Sequence, residues 1–334
     1  MTMQPAQQYL FGDDPQAPPP APEPNLDDEQ PDPGARLKEW SYSRREVFEK
    51  CQRLYYYQYY GAKKRTAKTE PLKERLRFLK DISNRYMRAG DIMHWAISCS
   101  LKARAKKGSE WSQNFLIEFA RKRFQEDLSF SRGYKDGTPL PAEMSAPVLL
   151  MELYYGMADA EKRCGEVEAK MVRALQSFQT VLEYVPFRAG VDGDQAKIES
   201  PISVRHQGVS LRGKVDLAFS KAGRATVVDW KMGDGDGGAD SLQLLFYAIW
   251  AMQTFACPSD QVDLFKAHLG SGTVSPFDFG PKAILRAKAR ISQDVERMRA
   301  VDEYGRDGLV EAFTPCGQER VCAGCVYQGV CPKE

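Results

Sequence analysis

Two aspartates and a lysine lie on neighbouring predicted strands of this 334-residue chain. Asp216 is part of the run Lys-Val-Asp-Leu-Ala-Phe, and Asp229 and Lys231 are part of Val-Val-Asp-Trp-Lys. Side chains alternate along a strand, so Asp229 and Lys231 project from the same face while Trp230 points away. If the two strands pair as a hairpin, Asp216 lies across from that face. Two carboxylates beside a lysine can bind a hard divalent cation and position or activate water.

A simpler interpretation is a surface hairpin with a salt bridge between Asp229 and Lys231. The neighbouring Val227, Val228 and Leu217 instead indicate buried strands. Unpaired charges in buried strands are costly unless they bind a ligand. The sequence therefore favours a metal site over a surface ion pair.

A predicted helix at residues 242–255 follows the second strand and carries Gln243 and Tyr247. Positions i and i+4 of a helix share one face. The two side chains could therefore brace either a substrate phosphate or Lys231.

Apolar periodicity predicts the surrounding elements. Residues 110–185 are predicted to be helical, and Ser43 is predicted to cap the first helix, with Glu46 completing a capping box. Strands are predicted at residues 198–199, 209–211, 214–219 and 225–230, and a hairpin at 262–269 and 274–279. A long basic helix is predicted at 281–301.

The C-terminal segment contains three closely spaced cysteines, Cys322, Cys325 and Cys331. Three thiolates at this spacing need a fourth ligand to complete a metal site. Cys316 would give a local zinc site, whereas Cys51 would connect the end of the chain to its first helix around an iron–sulfur cluster. The residues alone leave both alternatives open. The remaining cysteines are interpreted as ordinary core or surface thiols: Cys99, Cys164 and Cys257.

In order along the chain, Gly213-x-x-Asp216, Asp229-x-Lys231 and Gln243-x-x-x-Tyr247 resemble the motifs of the PD-(D/E)XK nuclease superfamily. The resemblance is closest to its RecB-like branch, which includes CRISPR-associated iron–sulfur exonucleases and AddB-type nuclease domains. It implies a restriction-endonuclease-like α/β fold with a mixed β-sheet core flanked by helices, a large helical insertion and a C-terminal cysteine-rich segment. It also implies a catalytic role for five residues: Asp216, Asp229, Lys231, Gln243 and Tyr247.

The same resemblance implies a site for Mg²⁺ or Mn²⁺. His94, in Gly90-x-x-x-His94 at the start of a predicted helix, is similar to the metal-binding histidine of this branch. Glu199 is similar in position to the acidic residue that often precedes the two strands. The implied metal ligands are His94, Asp216, Asp229 and the backbone carbonyl of Trp230, with Glu199 as an additional active-site residue.

The branch has one early and three late cysteines that bind a [4Fe-4S] cluster. The run Cys51-Gln-Arg-Leu-Tyr-Tyr is similar to the sequence around the early cysteine. The resemblance thus implies a cluster bound by Cys51, Cys322, Cys325 and Cys331. Such a clip closes a long loop and would restrict the unfolded chain.

The function that the resemblance implies is a metal-dependent DNA nuclease that hydrolyses phosphodiester bonds. We expect an exonuclease acting on single-stranded or end-containing DNA, in DNA repair, recombination or antiviral defence, with a helicase or another nuclease-complex subunit as partner. Two alternatives are a non-catalytic DNA-binding accessory subunit of a helicase–nuclease complex and a zinc-stabilised interaction protein. A motor is not expected. The run from Gly208 to Lys214 fits the start of a phosphate-binding loop, but the next residue, Val215, has no hydroxyl for Mg²⁺.

The expected organisation is an acidic, proline-rich tail followed by one nuclease domain. Residues 1–36 cannot bury enough apolar surface to fold and are predicted to be disordered. Residues 37–334 would form the domain, with a helical part at about 40–185, the catalytic α/β core at about 186–304, and the cluster-binding segment 313–334 joined to Cys51. In the tail, Gln7, Leu10 and Phe11 belong to a peptide that resembles the one with which bacterial DNA-repair proteins dock onto the sliding clamp. An incidental apolar cluster is the alternative.

The charge distribution is compatible with nucleic acid as a partner. The net charge of +2 combines seven acids and no Lys or Arg in residues 1–35 with +9 on residues 36–334. Basic stretches at 63–107 and 282–299 are expected to contact the DNA backbone, and Tyr55 to Tyr57 are expected to stack on unpaired bases. No apolar run reaches the ~18 residues of a membrane span, and no signal peptide is predicted. A cytoplasmic location without a membrane partner is therefore expected.

Overall fold

The computed structural model describes residues 37–63, 70–141, 146–192, 196–235 and 242–332. The predicted disordered tail and its clamp-like peptide, with Gln7, Leu10 and Phe11, lie outside the described residues. Within the described residues, no helix is long and apolar enough to cross a membrane.

Strands and helices alternate irregularly along the chain. The strands are β1 (Glu39–Ser41), β2 (Lys197–His206), β3 (Val209–Lys221), β4 (Arg224–Lys231), β5 (Val262–His268) and β6 (Thr273–Pro276). The α-helices are α1 (Tyr42–Lys50), α2 (Gln52–Tyr56), α3 (Pro71–Lys80), α4 (Arg85–Lys107), α5 (Gln113–Gly133), α6 (Met151–Tyr154), α7 (Ala160–Leu182), α8 (Val185–Val191), α9 (Leu242–Thr254), α10 (Pro281–Asp307) and α11 (Glu319–Ala323). A π-helix, Tyr57–Gly61, continues α2, and short 3-10 helices cover Ser259–Gln261 and Val310–Ala312.

The strands form one mixed sheet in the order β1-β3-β4-β5-β6, with β2 also paired to β3. β1 is parallel to β3 and β4 is parallel to β5, whereas the β2–β3, β3–β4 and β5–β6 pairs are antiparallel. Helices pack against the sheet and bury two apolar clusters with it. The predicted α/β fold, a mixed sheet flanked by helices, is confirmed.

On one of its edges, β3 pairs with β1 over its first part and with β4 over its last part, and the stretch between them has no strand partner there. Pairing with β1 ends at Arg212, and pairing with β4 begins at Leu217. The residues from Gly213 to Asp216 are therefore next to neither strand along that edge. Buried backbone groups must find partners elsewhere when a ladder is interrupted. The carbonyl of Lys214 accepts a hydrogen bond from the Tyr247 hydroxyl on α9, at 2.9 Å.

In both β2 and β3, the apolar side chains switch from one face of the sheet to the other, and they do so at matching positions of the two strands. Period two would place Val215 and Leu217 on one face, yet Val215 packs in the cluster under α9 and α10, and Leu217 packs in the cluster under α4 and α7. In β2, Ile202 and Ile198 are divided in the same way. The irregular residue between them is Glu199, whose φ of 47° lies in the left-handed region. This shared irregularity brings acidic side chains into the interior of the sheet.

Several boundaries differ from the sequence prediction. Ser41 caps α1 in place of Ser43, because Ser41 has extended backbone angles and its Oγ accepts from the Arg44 amide at 3.1 Å. The two strands predicted at 209–211 and 214–219 are one continuous strand, β3. The basic helix predicted to end at Val301 continues to Asp307. The three-residue strand β1 was not predicted, because it is too short to show a periodicity.

Gly213 is required where α9 crosses β3. A Cβ at this position would lie 2.7 Å from Phe246 Cε1 and 3.3 Å from Ile202 Cγ1. We therefore expect Gly213→Ala to lower the unfolding free energy by about 1–3 kcal/mol through overpacking. Gly165→Ala in α7 is the matched control, because no atom lies within 4 Å of its Cβ. The control should gain about 0.5–1 kcal/mol from helix propensity. Equal denaturation midpoints for Gly213→Ala and the wild type would contradict the close approach of α9.

Candidate active site

Three potential metal ligands converge from three elements: His94 on α4, Glu199 on β2 and Asp216 on β3. The Nδ1 atom of His94 lies 3.1 Å from Glu199 Oε1 and 3.1 Å from Asp216 Oδ1. The ligand atoms of the three residues all lie within 4.8 Å of one another, and no other such group of three occurs among the described residues. An imidazole and two carboxylates can supply three ligands to a divalent metal ion, which is half of an octahedral coordination shell.

The N-terminal half of α4 is fixed by buried ion pairs, and this fixes His94. The side chain of Asn84 caps the helix, accepting from the amides of Tyr86 and Met87. Arg85 pairs with the buried Glu152 at 2.7 Å, and Arg88 pairs with the buried Asp127 at 2.6 Å. Met93 and Ala96 are buried beside the histidine. His94 therefore reaches the sheet from a helix that is held by residues other than the potential metal ligands.

Glu199 and Asp216 lie opposite each other in the β2–β3 ladder. Ile198 pairs with Leu217 and Ser200 pairs with Val215, so the two acids occupy the level between these pairs. Strained backbone at a position such as Glu199 is typical of functional sites, where the surrounding structure holds it in place. The structure thus brings together the acidic residue and the histidine that the sequence analysis assigned to the site.

Asp216 is oriented by the neighbouring strand. Its Oδ2 accepts a hydrogen bond from the Trp230 amide at 2.8 Å, which leaves Oδ1 directed to His94. Asp216 and Asp229 each lie one residue beyond the terminal β3–β4 register pair, which joins Leu217 to Val228. The Trp230 side chain points away, as predicted, and packs edge-on against Phe178 at a centroid distance of 5.7 Å.

Lys231 begins a chain of polar contacts that ends on β3. Its Nζ lies 2.7 Å from Asp229 Oδ2 and donates to Gln243 Oε1 at 3.1 Å. Gln243 Nε2 donates to the Tyr247 hydroxyl at 2.9 Å, and that hydroxyl donates to the Lys214 carbonyl. Of the two roles considered for Gln243 and Tyr247, these contacts favour bracing the lysine over binding a phosphate directly.

The charges of the site shift its pKa values strongly. Burial and the negative charge of Asp216 raise the pKa of Asp229 to about 6. Burial opposes protonation of His94, but Asp216 and Glu199 outweigh it and raise its pKa to about 10. Burial likewise opposes protonation of Lys231, yet Asp229 raises its pKa. Both cations therefore neutralise the carboxylates, and a metal ion bound by the His94 ring would take the place of its proton.

A groove of about 860 Å³ leads to Lys231, Gln243 and Tyr247. Basic residues contributed by α1, β3 and β5 line it: Arg45, Lys50, Arg212, Lys214 and Lys266. Hereafter it is called the active-site groove. Glu46 and Glu49 also line it, so that with Lys231 the basic side chains outnumber the acidic ones six to two. This excess of positive charge suits an anionic polymer.

Two lysines at the site were not assigned from the sequence. Lys266 is paired in register with Asp229 and is only 5% exposed, although it lines the active-site groove. A lysine inside the apolar run Val262–His268 was the signal that could have identified it. Lys214 forms an ion pair with Glu199. Burial lowers the pKa of Lys214, but Glu199 together with Asp216 and Asp91 raises it by more.

The four cysteines assigned to a cluster line one small cavity between α2 and the C-terminal segment. Cys51, Cys322, Cys325 and Cys331 contribute to its wall, as does Cys316. Cys51 caps α2, with its Sγ 3.4 Å from the Leu54 amide. Cys316 Sγ lies 4.0 Å from Cys322 Sγ. Among the described residues, no three cysteine sulfurs come within 4.8 Å of one another. The predicted [4Fe-4S] cluster is therefore not confirmed by these positions.

The C-terminal segment is docked on α2 and the π-helix by contacts that need no metal. Arg53 Nε donates to the Phe313 carbonyl at 2.7 Å, and Arg53 pairs with Glu311 at 3.1 Å. The rings of Tyr57 and Tyr327 pack at a centroid distance of 5.4 Å. These contacts therefore hold together the two segments that line the thiol cavity.

The expectation that Tyr55 to Tyr57 stack on unpaired bases is wrong. All three tyrosines are buried. Tyr55 and Tyr56 pack against Phe313, and Tyr57 packs against Tyr327. Their apolar rings and helical spacing were the signal for core packing against the end of the chain.

The fold and the site together define a class of protein. A mixed sheet whose central strands carry Asp216, Asp229 and Lys231 beside a metal-ligand group is the arrangement of the PD-(D/E)XK enzymes, within the restriction-endonuclease-like α/β fold. The chain matches the family model of the PD-(D/E)XK nuclease superfamily over residues 39–332, and it belongs to that superfamily.

Other comparisons add little. No curated protein matches the chain. Among solved structures, the "Crystal structure of SSO0001" is similar over 67% of this chain and 98% of that chain, with 14% sequence identity and a TM-score of 0.28. At that TM-score the likeness does not bear on function.

Proposed function

We propose that this protein is a metal-dependent deoxyribonuclease that hydrolyses phosphodiester bonds. The observation that carries the proposal is the convergence of His94, Glu199 and Asp216 next to the Asp229–Lys231 pair. The donor set fits Mg²⁺ or Mn²⁺, because carboxylate oxygens predominate. The single imidazole favours Mn²⁺ over Mg²⁺, since nitrogen ligands suit the later divalent ions.

In this mechanism His94, Glu199 and Asp216 would hold the cation, and Asp229 and the Trp230 carbonyl would be further ligands. When bound, the cation polarises the scissile phosphate and lowers the pKa of a coordinated water. Asp216 keeps its ligand geometry through the Trp230 amide. The strand and helix contacts of the site therefore supply preorganisation before substrate binds.

Lys231 acts as a cation in this proposal. Asp229 and Gln243 hold its Nζ on two sides, and the raised pKa keeps it protonated. A protonated amine cannot accept the proton of the attacking water. It can donate to that water and offset the negative charge that develops on the phosphate. Gln243 and Tyr247 are positioning residues that hold Lys231.

DNA is the proposed substrate, and cleavage from ends or on single strands is the proposed mode. The basic lining of the active-site groove supports a polyanionic substrate. The exonuclease mode and a role in repair, recombination or defence rest on the RecB-like resemblance. So do a helicase-type partner and docking of Gln7, Leu10 and Phe11 onto a sliding clamp. A reducing, cytoplasmic setting accords with thiolate ligands.

We also propose a structural [4Fe-4S] cluster bound by Cys51, Cys322, Cys325 and Cys331. The four thiols line one cavity, which supports a shared ligand. Four thiolates around a single zinc lie about 3.8 Å apart, given Zn–S distances of about 2.3 Å. The thiols of a cubane cluster lie farther apart, because the irons and sulfides separate them. The sulfur–sulfur distances in the metal-bound protein therefore distinguish the two groups.

A zinc-stabilised interaction protein is the second candidate. The 4.0 Å separation of Cys316 Sγ and Cys322 Sγ favours it, because this distance suits two ligands of one zinc. The Lys231 network argues for catalysis. A protein that only binds DNA does not need a buried carboxylate and lysine held by two further side chains.

Lys231→Ala tests the nuclease assignment. We expect kcat for DNA cleavage in Mn²⁺ to fall by about 10²–10³-fold, because one positioned charge is lost from the transition state. The dissociation constant for DNA should change little. Lys221→Ala, at the exposed end of β3, is the charge-matched control and should cleave at the wild-type rate. If Lys231→Ala cleaves as fast as the control, the proposed role of Lys231 is wrong.

A further inference from the structure

A second depression of about 520 Å³ adjoins the active-site groove. We call it the basic cleft; its polar lining includes Lys38, Arg44, Tyr59, Lys63, Arg212 and Arg306. Ser41 and Arg212 line both depressions, and these two residues are register partners in the β1–β3 pair. The cleft therefore continues the groove along β1 toward Leu37, which is the direction away from Asp216.

The basic cleft carries an excess of positive charge. Its five cations face two acids, Glu39 and Asp302. Arg212 pairs with Glu39 at 2.9 Å, and Arg306 pairs with Asp302 at 2.7 Å. Both acids thus already have a cationic partner. The remaining cations of the lining leave the cleft with a net charge of about +3, which attracts an anionic group.

Arg44 makes the cleft a preformed site. Its Nε and NH2 atoms donate to the Tyr55 hydroxyl at 3.0 and 2.8 Å, and its NH1 donates to the Glu39 carbonyl at 3.0 Å. Its guanidinium lies 4.7 Å from the centre of the Tyr59 ring. These acceptors are neutral, so they hold the guanidinium without cancelling its charge. A fixed guanidinium loses little side-chain entropy when it binds a phosphate.

Lys63 lies in the positive electrostatic field of the same cleft. Partial desolvation of its amine and the positive charge of Arg44 lower the pKa of Lys63, although Asp302 opposes the shift. Lys38 and Lys63 themselves are exposed, so both can contact a ligand that enters the cleft.

We propose that the basic cleft is a second phosphate-binding subsite, which holds the substrate strand at a fixed distance from the scissile bond. This inference deepens the proposed nuclease function and rests on it. A nucleic-acid strand is the favoured occupant, because the cleft is continuous with the groove that leads to Lys231. The bound group is either an internal phosphodiester or a terminal phosphate. A strand long enough to reach the cleft binds more tightly than a short one that fills only the groove.

The test uses the full-length protein with Lys38→Gln and Lys63→Gln combined. Binding of long and short single-stranded oligonucleotides is measured by fluorescence anisotropy without added divalent metal, over a range of salt concentrations. For long strands we expect affinity to fall on the order of tenfold, and the slope of log Kd against log salt to decrease by about 1.4, at ~0.7 per lost phosphate contact. Short strands should bind as they do to the wild type.

The control removes two equally exposed lysines that line neither depression, through Lys122→Gln with Lys221→Gln. This control should leave both the affinity and the salt slope unchanged. Unaltered binding of long strands by the cleft variant would overturn the proposal. An equal loss in the control would also overturn it, because the effect would then come from net charge alone.

Two further strands identify the bound group. A loss confined to linear strands with a terminal phosphate assigns the cleft to that end, and an equal loss for circular strands assigns it to an internal phosphodiester. Binding is measured without cleavage, so the two proposals fail separately. A wild-type protein that binds with this length dependence but never cuts DNA contradicts the nuclease function and not the subsite.

Discussion

Asp216→Asn is expected to lower kcat for DNA cleavage by on the order of 10³-fold, which corresponds to about 4 kcal/mol of transition-state stabilisation. The asparagine side chain is nearly isosteric with aspartate, and its amide oxygen can still accept from the Trp230 amide, which Asp216 Oδ2 does at 2.8 Å. The change therefore removes a charged ligand while it keeps the link between β3 and β4. Cleavage of end-labelled DNA in Mn²⁺ measures the effect on catalysis.

Calorimetric titration with Mn²⁺ distinguishes the loss of a metal ligand from a folding defect. Mn²⁺ should bind the wild-type protein and bind Asp216→Asn far more weakly. Asp263→Asn is the matched control, because Asp263 lies on β5 in an exposed ion pair with Arg224 at 2.6 Å. This control should retain both metal binding and activity. Full Mn²⁺ affinity in Asp216→Asn would remove Asp216 from the ligand set.

Cys51→Ser is expected to have the largest effect on stability. If Cys51 binds the cluster, its loss should abolish the visible absorption and the bound iron. The melting temperature should fall on the order of 10 °C, because metal binding contributes directly to folding free energy. The C-terminal segment keeps its contacts with Arg53 and Tyr57, so the variant should still fold. Anaerobic purification, iron analysis and thermal unfolding check these outcomes.

Cys316→Ser is the matched control for the cluster. It lines the same cavity as Cys51 but lies outside the proposed ligand set. Its iron content, colour and melting temperature should equal those of the wild type. If Cys316→Ser loses the metal and Cys51→Ser keeps it, a local zinc site is the correct interpretation and the iron–sulfur cluster is wrong.

The placement of Asp229, Lys231, Gln243 and Tyr247 could be predicted because local rules determine it. Strand alternation orients the first pair, and helical spacing aligns the second. The two pairs then meet because α9 packs across the central strands, which its almost entirely apolar sequence indicates.

The convergence of His94 with Glu199 could not be derived from spacing. The two residues are 105 positions apart, and they meet only because α4 packs on β2. Glu199 depends in addition on a positive φ that no sequence pattern marks. The resemblance to a family supplied both residues, and physical reasoning from the chain alone would have treated His94 as a core residue.

The cap of α1 and the role of Lys266 show two other limits. Ser41 and Ser43 are both suitable caps by residue type, and the short strand β1 decides between them by fixing the backbone at Ser41. Lys266 is conspicuous in an apolar strand, but only the parallel pairing of β4 with β5 brings it beside Asp229. In both cases, strand pairing between residues distant in sequence determines the local structure.

The proposed divalent-metal nuclease site consists of His94, Glu199, Asp216, Asp229 and Lys231. Its most direct test is cleavage of end-labelled DNA by the wild-type protein and Asp216→Asn side by side, with Mn²⁺ and with a chelator. We expect cleavage only by the wild type and only with Mn²⁺, and we expect it to return when the metal is restored. Equal cleavage by both proteins, or no cleavage by the wild type with either Mn²⁺ or Mg²⁺, would contradict the proposed site.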